Sequence, residues 1–179
     1  MEFSKLIEER RSIRSYQKGA IVTKNDIEQM IYAAQQAPSW KNSQTGRYYV
    51  AISDSAVAEV KKSCLADFNV PRTENASAFI VTAFKRGISG FYPDGKATDS
   101  LGNGWGAYDL GLQNQNLLLK ARELGYDTLI MGSRNENAIR ELFSISEDEI
   151  VVSVIALGKR DEDPKKPSRR ELDEIAKFF

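Results

Sequence analysis

Apolar residues recur along this chain with two spacings, one typical of α-helices and one typical of β-strands. Between residues 23 and 37 they stand at i, i+3, i+4 and i+7, where Thr23 is a suitable N-cap and Pro38 ends the pattern. The helical period returns further along, and Gly125 stands where the longest helix needs a left-handed C-cap. We predict helices over residues 23–37, 54–67, 108–124 and 135–143.

Four other runs are rich in β-branched and aromatic residues, which predicts strands over residues 47–53, 78–84, 128–131 and 150–157. The run at 78–84 is continuously apolar, which is typical of a buried strand. A polar, glycine-rich stretch over residues 85–106 is too long for a simple connection in a compact domain. Helices around a few central strands, without a repeat or a linker, predict one α+β or mixed α/β domain over residues 1–179.

Composition narrows the functions open to this domain. Hydrophobic residues make up 41% of the chain, but no apolar run approaches the ~18 residues that a membrane span needs. The N-terminus lacks the layout of a secretory signal, and a single cysteine, Cys64, excludes an internal disulfide. We therefore expect a cytoplasmic protein in which Cys64 is a small core residue rather than a nucleophile. The absence of histidine excludes Ser-His and Cys-His catalytic pairs and most zinc sites.

Cationic side chains cluster near the N-terminus, where Arg10, Arg11 and Arg14 surround Ser12. Guanidinium groups match phosphate oxygens bidentately and stay charged, so this grouping indicates a terminal phosphate. Over the whole chain, however, Lys+Arg 25 balance Asp+Glu 25, and the basic surplus that nucleic-acid binding usually requires is missing. The cluster therefore predicts one small phosphorylated ligand and no nucleic acid.

A second candidate is the segment Ala-Pro-Ser-Trp-Lys-Asn-Ser-Gln at residues 37–44, between a predicted helix and a predicted strand. In such a turn the Ser39 hydroxyl and the Asn42 amide can face the donor and acceptor edge of a flat heterocycle. The same residues are typical of an ordinary loop that stops a helix, with Pro38 as the breaker. From this segment alone both interpretations stay open.

Five motifs, in order along nearly the whole chain, resemble those of the FMN-dependent nitroreductase family. They are Arg-Arg-Ser-Ile-Arg-Ser-Tyr at 10–16, the segment 37–44, Asp-Leu-Gly-Leu-Gln-Asn-Gln-Asn-Leu at 109–117 with Leu-Gly-Tyr at 124–126, Ile-Met-Gly at 130–132, and Leu-Gly at 157–158 with Ser-Arg-Arg-Glu-Leu-Asp-Glu-Ile at 168–175. The resemblance implies a central, mostly antiparallel sheet flanked by helices, in an intertwined homodimer with two FMN sites at the interface. It also implies ping-pong transfer from NAD(P)H through flavin N5 to a nitroaromatic, quinone or similar small acceptor.

The resemblance further implies roles for individual residues. The FMN phosphate and nearby ribityl and pyrimidine oxygens are assigned to Arg10, Ser12, Arg14 and Arg169. Contacts to the flavin ring are assigned to Pro38, Ser39 and Asn42 of the other subunit, to a backbone amide of Met131 or Gly132 at N5, and to Asn69 and Arg72 near the pyrimidine edge. A cation at that edge favours reduced flavin, which is anionic at N1. Because the cofactor carries the chemistry, no catalytic side chain is expected.

The sequence departs from the family pattern at several positions. Pro167 stands where the family has a basic residue, so Lys165 and Lys166 are the candidates for that contact with the phosphate. Thr45, followed by Gly46, replaces a proline of the family pattern, which predicts a more mobile loop after the turn. Glu171 replaces the proline of the tail motif.

For two regions, and for the function itself, the sequence leaves two interpretations open. Phe91, Tyr92 and Trp105 in the glycine-rich stretch either close over a planar acceptor or pack that stretch against the body or the subunit interface. The apolar tail that ends in Phe178 and Phe179 suits a homodimer interface, or it docks on its own subunit. A flavin carrier, sensor or store with little reductase turnover shares every phosphate and ring contact, and it is the alternative function.

Overall fold

Four antiparallel strands form the centre of the molecule. The structure is a computed structural model and describes residues 2–179. The strands are β1 (Gly46–Ala51), β2 (Ala78–Lys85), β3 (Asp127–Met131) and β4 (Glu149–Gly158), in the spatial order β1-β2-β4-β3. Every neighbouring pair is antiparallel, so the predicted sheet and its four predicted strands are confirmed.

The α-helices of the described chain flank this sheet. They are α1 (Phe3–Glu9), α2 (Lys24–Gln35), α3 (Asp54–Glu59), α4 (Gly104–Glu123), α5 (Glu136–Phe143) and α6 (Leu172–Ile175). Thr23 caps α2 reciprocally: its hydroxyl accepts from the Asp26 N–H at 3.2 Å, and the Asp26 carboxylate accepts from the Thr23 N–H at 3.0 Å. Within residues 2–179, no helix is both long and apolar enough to cross a membrane.

Alternate residues of the strands face two separate cores. Ile80 and Ile155 point towards α2 and α4, where Met30, Leu117 and Ala121 are fully buried against them. Because successive side chains of a strand point to opposite faces, the neighbours of Ile80 and Ile155 enter the second core. The long helix α4 is therefore fixed across one face of the sheet.

The second core lies on the opposite face of the sheet. Phe79 and Val154 pack there with Ile139 of α5 and with Cys64, all of them fully buried. Burial raises the pKa of the Cys64 thiol, so the residue stays protonated within an apolar environment. This placement confirms the prediction that Cys64 is a core residue.

Two predicted helix boundaries are wrong. The helix expected over 54–67 is α3 followed by one π-helical turn at Val60–Cys64, because Leu65 becomes extended and pairs with Arg134. The longest helix begins at Gly104 and not at residue 108. Its first turn is held by Trp105, whose ring centre lies 4.7 Å from that of Trp40.

Candidate functional site

The segment after α1 carries the predicted phosphate-binding residues in an extended conformation. The Ile13 N–H donates to the Thr128 carbonyl oxygen at 3.0 Å, so the segment runs beside the start of β3. Ile13 and Tyr16 are buried and anchor it, whereas Arg14 is exposed. The alternation of an extended chain therefore turns Ser12 and Arg14 away from the core.

The C-terminal segment closes this region from the other side. The Asp161 N–H donates to the Ser15 carbonyl oxygen at 3.0 Å, and the Arg14 N–H donates to Glu162 Oε1 at 2.7 Å. Between the two segments lies a cleft of about 160 Å³, which we call the arginine cleft. Its lining residues are Arg10, Arg11, Ser12, Arg14, Pro164, Lys165, Pro167 and Arg169.

The arginine cleft is lined by five cationic side chains and by no acidic one. In the part of the chain that the structure describes, none of these cations forms an ion pair with a carboxylate; the Arg14 guanidinium donates to the Ser12 carbonyl oxygen at 3.2 Å instead. Burial, together with the nearby charges of Arg11 and Arg169, lowers the pKa of Arg10. A bound anion relieves this repulsion, and a phosphate matches the guanidinium and hydroxyl donors. The residues present therefore fit the phosphate of FMN.

A network of ion pairs supports the arginine cleft. Its residues come from parts of the chain that are far apart in sequence, so no local spacing predicts it. Asp127, the first residue of β3, is buried and accepts from Arg160 Nε at 2.9 Å and from Arg160 Nη2 at 2.6 Å. Arg122 Nη1 lies 3.3 Å from the same carboxylate, and Arg122 Nη2 lies 3.0 Å from the carboxylate of Glu9. Because Glu9 directly precedes Arg10, the network holds the base of the cationic segment.

The other end of β3 offers an exposed backbone. Met131 is buried, but Gly132 is exposed, and a Cβ added there would meet no atom within 4 Å. Asn69 is buried and its Nδ2 donates to the Ser133 carbonyl oxygen at 3.4 Å. From Thr128 beside the arginine cleft to Gly132, the strand rises ~13 Å. The fold thus brings Asn69 and Gly132 together at one end of a strand whose other end meets the cationic cluster.

Arg72 lies on the surface close to Asn69, in the second of two short 3-10 turns. Its guanidinium carbon lies 5.3 Å from the centre of the Phe68 ring, and both side chains are exposed. A cation–π contact therefore holds Arg72, and the guanidinium keeps its hydrogen-bond donors available for an anionic or carbonyl group.

The turn before β1 has an unusual backbone. Lys41, Asn42 and Gln44 have positive φ values of 46°, 55° and 50°, a conformation that costs about 1–3 kcal/mol for each non-glycine residue unless its surroundings determine it. Here the Ser39 hydroxyl accepts from the Gln44 N–H at 3.1 Å. The structure thereby fixes the turn while leaving the Asn42 side chain exposed.

A buried carboxylate connects this turn with two other segments. Asp109 Oδ2 accepts from the Trp40 N–H at 3.0 Å and from the Ser89 hydroxyl at 2.8 Å. The Ser89 hydroxyl also lies 2.8 Å from that of Ser43. Asp109 therefore joins the turn, the glycine-rich stretch and the first part of α4.

The turn and the arginine cleft lie far apart within one chain. Asp109 beside the turn and Arg122 beside the cleft belong to the same helix, α4, and their separation of thirteen positions corresponds to ~20 Å along the helix axis. Pro38, Ser39 and Asn42 therefore lie at the opposite end of α4 from Arg10, Ser12 and Arg14. One chain does not bring these two halves of the predicted site together.

The aromatic residues of the glycine-rich stretch have different environments. Trp105 packs on Trp40, and its Nε1–H donates to the Asp99 carboxylate at 3.0 Å, so for Trp105 packing against the body is confirmed. Phe91 and Tyr92 belong to a short hairpin, in which the Tyr92 N–H donates to a backbone carbonyl oxygen at 2.9 Å. Tyr92 is half exposed and stays available for a ligand.

Comparison with known proteins decides the family. The sequence model of the nitroreductase family matches residues 7–159. The chain belongs to this family. It is 33% identical over 166 residues to an Archaeoglobus fulgidus protein that carries the name NADH dehydrogenase/NAD(P)H nitroreductase, covering 88% of this chain and 84% of that protein. It is 25% identical over 198 residues to the CLA biosynthesis enone reductase of Lactiplantibacillus plantarum, covering 95% of this chain and 91% of the relative.

A solved structure supports the same assignment. A protein of Exiguobacterium sibiricum, described as a nitroreductase and crystallised in complex with FMN, has a TM-score of 0.82 and 26% sequence identity. The similarity covers 100% of this chain and 98% of that one. The predicted family and the predicted fold class are therefore confirmed.

Proposed function

We propose that this protein holds FMN by its phosphate in the arginine cleft and uses NAD(P)H, by a ping-pong mechanism, to reduce a nitroaromatic, a quinone or a similar small acceptor. The observation that carries the proposal is a cluster of five cations around Ser12, within a cleft that no carboxylate lines. At the level of the family, the predicted class of enzyme is confirmed: an NAD(P)H-dependent flavin oxidoreductase with FMN as its cofactor.

In this proposal the chain's own residues bind FMN and orient it. Bound FMN supplies the chemistry, as the acceptor and donor of hydride, and so no protein acid, base or nucleophile is required. The phosphate is assigned to Arg10, Ser12, Arg14 and Arg169, and the ring to Asn69, to Arg72 and to a backbone amide of Met131 or Gly132. Positive charge from Arg14 or Arg72 near the pyrimidine edge stabilises the negative charge that reduction adds.

A second copy of the chain completes the site in this proposal. The ~20 Å that separate the turn from the arginine cleft along α4 support it, because Asn42 then contacts a flavin held by the other subunit. The tail supports it as well: Leu172, Ile175 and Phe178 are 64%, 68% and 86% exposed on their own subunit. An apolar surface of this kind favours an interface, and docking of the tail on its own subunit is not observed.

Removing residues 172–179 tests the homodimer. We expect the full chain to sediment at equilibrium as a dimer with bound FMN, and the shortened chain to dissociate and lose FMN. Arg169 is retained in the shortened chain, so the loss of FMN would reflect the interface and not the phosphate contacts. A full-length monomer with complete FMN occupancy would contradict the proposal.

The visible spectrum of the purified protein under anaerobic conditions tests the function itself. We expect a flavin spectrum that bleaches rapidly when NADH or NADPH is added and returns when a quinone or a nitroaromatic follows. A flavin spectrum that persists would instead support the carrier, sensor or store. A protein that takes up no flavin when FMN is supplied would refute the assignment of the arginine cleft.

The two adjacent lysines of the C-terminal segment face different clefts. Lys165 lines the arginine cleft, whereas Lys166 lines a neighbouring cleft with Glu8, Glu9 and Asp163. We therefore assign to Lys165 the phosphate contact that Pro167 is unable to make. For Lys165→Ala we expect the Kd of FMN to rise about 10-fold, since a hydrogen bond to a charged group contributes ~1.5 kcal/mol.

The matched control is Lys166→Ala, which removes the same charge one residue away. We expect its Kd for FMN, measured by fluorescence titration of the apoprotein, to stay within ~2-fold of the unchanged protein. If both substitutions raised the Kd of FMN equally, Lys165 would contribute only general electrostatic attraction and no specific contact with the phosphate.

A further inference from the structure

A cleft beside the turn has no role in the function proposed above. It measures about 360 Å³, which is within the range of small-molecule sites. Lys41, Ile88, Phe91, Tyr92 and Pro93 line it, together with two glycines. We call it the Lys41 cleft.

The walls of the Lys41 cleft are held by hydrogen bonds. The Tyr92 N–H donates to the Lys96 carbonyl oxygen and the Gly95 N–H donates to the Tyr92 carbonyl oxygen, both at 2.9 Å, which closes the hairpin. At the base of the hairpin, Ser89 connects to Ser43 of the turn at 2.8 Å. The hairpin and the turn are therefore fixed to each other, and the space between them is part of the fold.

The charge distribution in the Lys41 cleft is one-sided. Lys41 is the one charged residue in its lining, and within residues 2–179 the Lys41 ammonium has no carboxylate partner. The carboxylates of the same stretch are engaged elsewhere: Asp94 pairs with Lys96 at 3.4 Å, and Asp99 accepts from Trp105 at 3.0 Å. A single cation in a lining that otherwise consists of aromatic, aliphatic and glycine residues matches a ligand with one anionic group and a flat apolar body.

We propose that the Lys41 cleft binds the electron acceptor and selects planar organic anions, namely aromatic or conjugated carboxylates. Lys41 contacts the carboxylate, and Phe91 and Tyr92 pack against the planar part. This inference rests on the proposed function, since Lys41 directly precedes Asn42, which is assigned to the flavin ring of the other subunit. The acceptor would then lie between the Lys41 cleft and that flavin.

Two acceptors that differ in charge test this selection. 4-Nitrobenzoate and 4-nitrobenzamide share the nitroaromatic ring, and only the first is an anion. We expect the FMN-loaded protein, reduced beforehand with dithionite, to be reoxidised at a higher kcat/KM by 4-nitrobenzoate. In Lys41→Gln the ratio of the two kcat/KM values should fall at least ~10-fold. The change should lie in KM, as expected for the loss of a charge-assisted contact.

The matched control is Lys96→Gln, which removes a cation from the same hairpin outside the cleft lining. It should leave the ratio of the two acceptors unchanged. A loss of preference equal to that of Lys41→Gln would show that the hairpin attracts anions only in a general way, and would overturn the inference. If Lys41→Gln changed the rate of reduction by NAD(P)H but not the rates with the two acceptors, the cleft would be assigned to the nucleotide. That result would overturn the inference as well.

Calorimetric titration with benzoate and benzamide tests binding without turnover. We expect benzoate to bind at least ~10-fold more tightly than benzamide, and Lys41→Gln to remove the difference. A protein that NAD(P)H reduces but that shows no preference for the anion would refute the Lys41 cleft alone. A protein that NAD(P)H fails to reduce, but that binds benzoate through Lys41, would refute the proposed function alone.

Discussion

The affinity for FMN is expected to fall at least ~100-fold when Arg10 and Arg169 are both replaced by alanine. Both side chains line the arginine cleft, and a hydrogen bond to a charged group contributes ~1.5–3 kcal/mol, so two such losses amount to ~3 kcal/mol or more. Purified double variant should therefore be largely free of flavin, and fluorescence titration of the apoprotein should give the raised Kd.

Riboflavin, which lacks the phosphate, shows whether the loss is local. We expect the unchanged protein to bind FMN far more tightly than riboflavin, and this preference to be at least ~100-fold smaller in Arg10→Ala/Arg169→Ala, in which Ser12, Arg14 and Lys165 still line the cleft. Arg170→Ala is the control, because Arg170 pairs with Glu174 at 3.6 Å and does not line the arginine cleft. Should the affinity for riboflavin fall as far as that for FMN, the two arginines would support the fold and not the phosphate.

The same double variant should be no less stable than the unchanged apoprotein. Burial is the largest cause that lowers the pKa of Arg10, and repulsion from the nearby charges of Arg11 and Arg169 lowers it further. Removing two of the cations relieves that repulsion. What the variant should lose is the stabilisation that FMN adds, which thermal unfolding with and without FMN would measure.

The helices and strands with regularly spaced apolar residues could be predicted, because this spacing reflects the burial of one face of each element. The apolar positions of α2 follow the helical period, and Ile27, Met30 and Ala34 are indeed its buried residues. The start of α4 could not be predicted in this way, because glycine disfavours a helix. Gly106 is required there by packing: an added Cβ would lie 2.3 Å from the ring of Phe84 on β2.

The sequence predicts the part of the candidate site whose residues are neighbours along the chain. It does not predict the direction in which a side chain points, because the fold sets that direction. Arg10, Ser12 and Arg14 line one cleft because they share a short extended segment. Lys165 and Lys166 are the same residue type at adjacent positions, and only the folded segment places them in the linings of different clefts.

The backbone of the turn also has no signal in the sequence. Lys41 and Gln44 rarely adopt positive φ, so their types do not indicate it. The conformation is held by the Ser39–Gln44 hydrogen bond within the turn and by contacts from outside it, such as the bond from the Trp40 N–H to Asp109, which lies 69 positions away. A long-range contact of this kind is visible only once the helix and the turn are packed.

Asp127→Ala is expected to lower the free energy of unfolding by about 3–5 kcal/mol, the range found when one partner of a buried ion pair is removed. The Asp127 side chain is 2% exposed, and its loss leaves Arg122 and Arg160, each 19% exposed, without their shared carboxylate. Urea denaturation of the FMN-free protein at fixed concentration measures the change. The affinity for FMN should fall as well, because Arg160 also donates to the Glu9 carbonyl oxygen at the base of the cationic segment.

Asp163→Ala is the matched control, because Asp163 pairs with the same Arg160 at 3.0 Å but its side chain is 91% exposed. An exposed ion pair contributes ~0–1 kcal/mol, so this substitution should change stability little. Replacing Arg160 with methionine in the Asp127→Ala background should recover part of the loss, because one of the two cations that lost the buried carboxylate is then gone. Similar effects of Asp127→Ala and Asp163→Ala would mean that burial does not set the strength of this network, and that Asp127 does not hold the arginine segment in place.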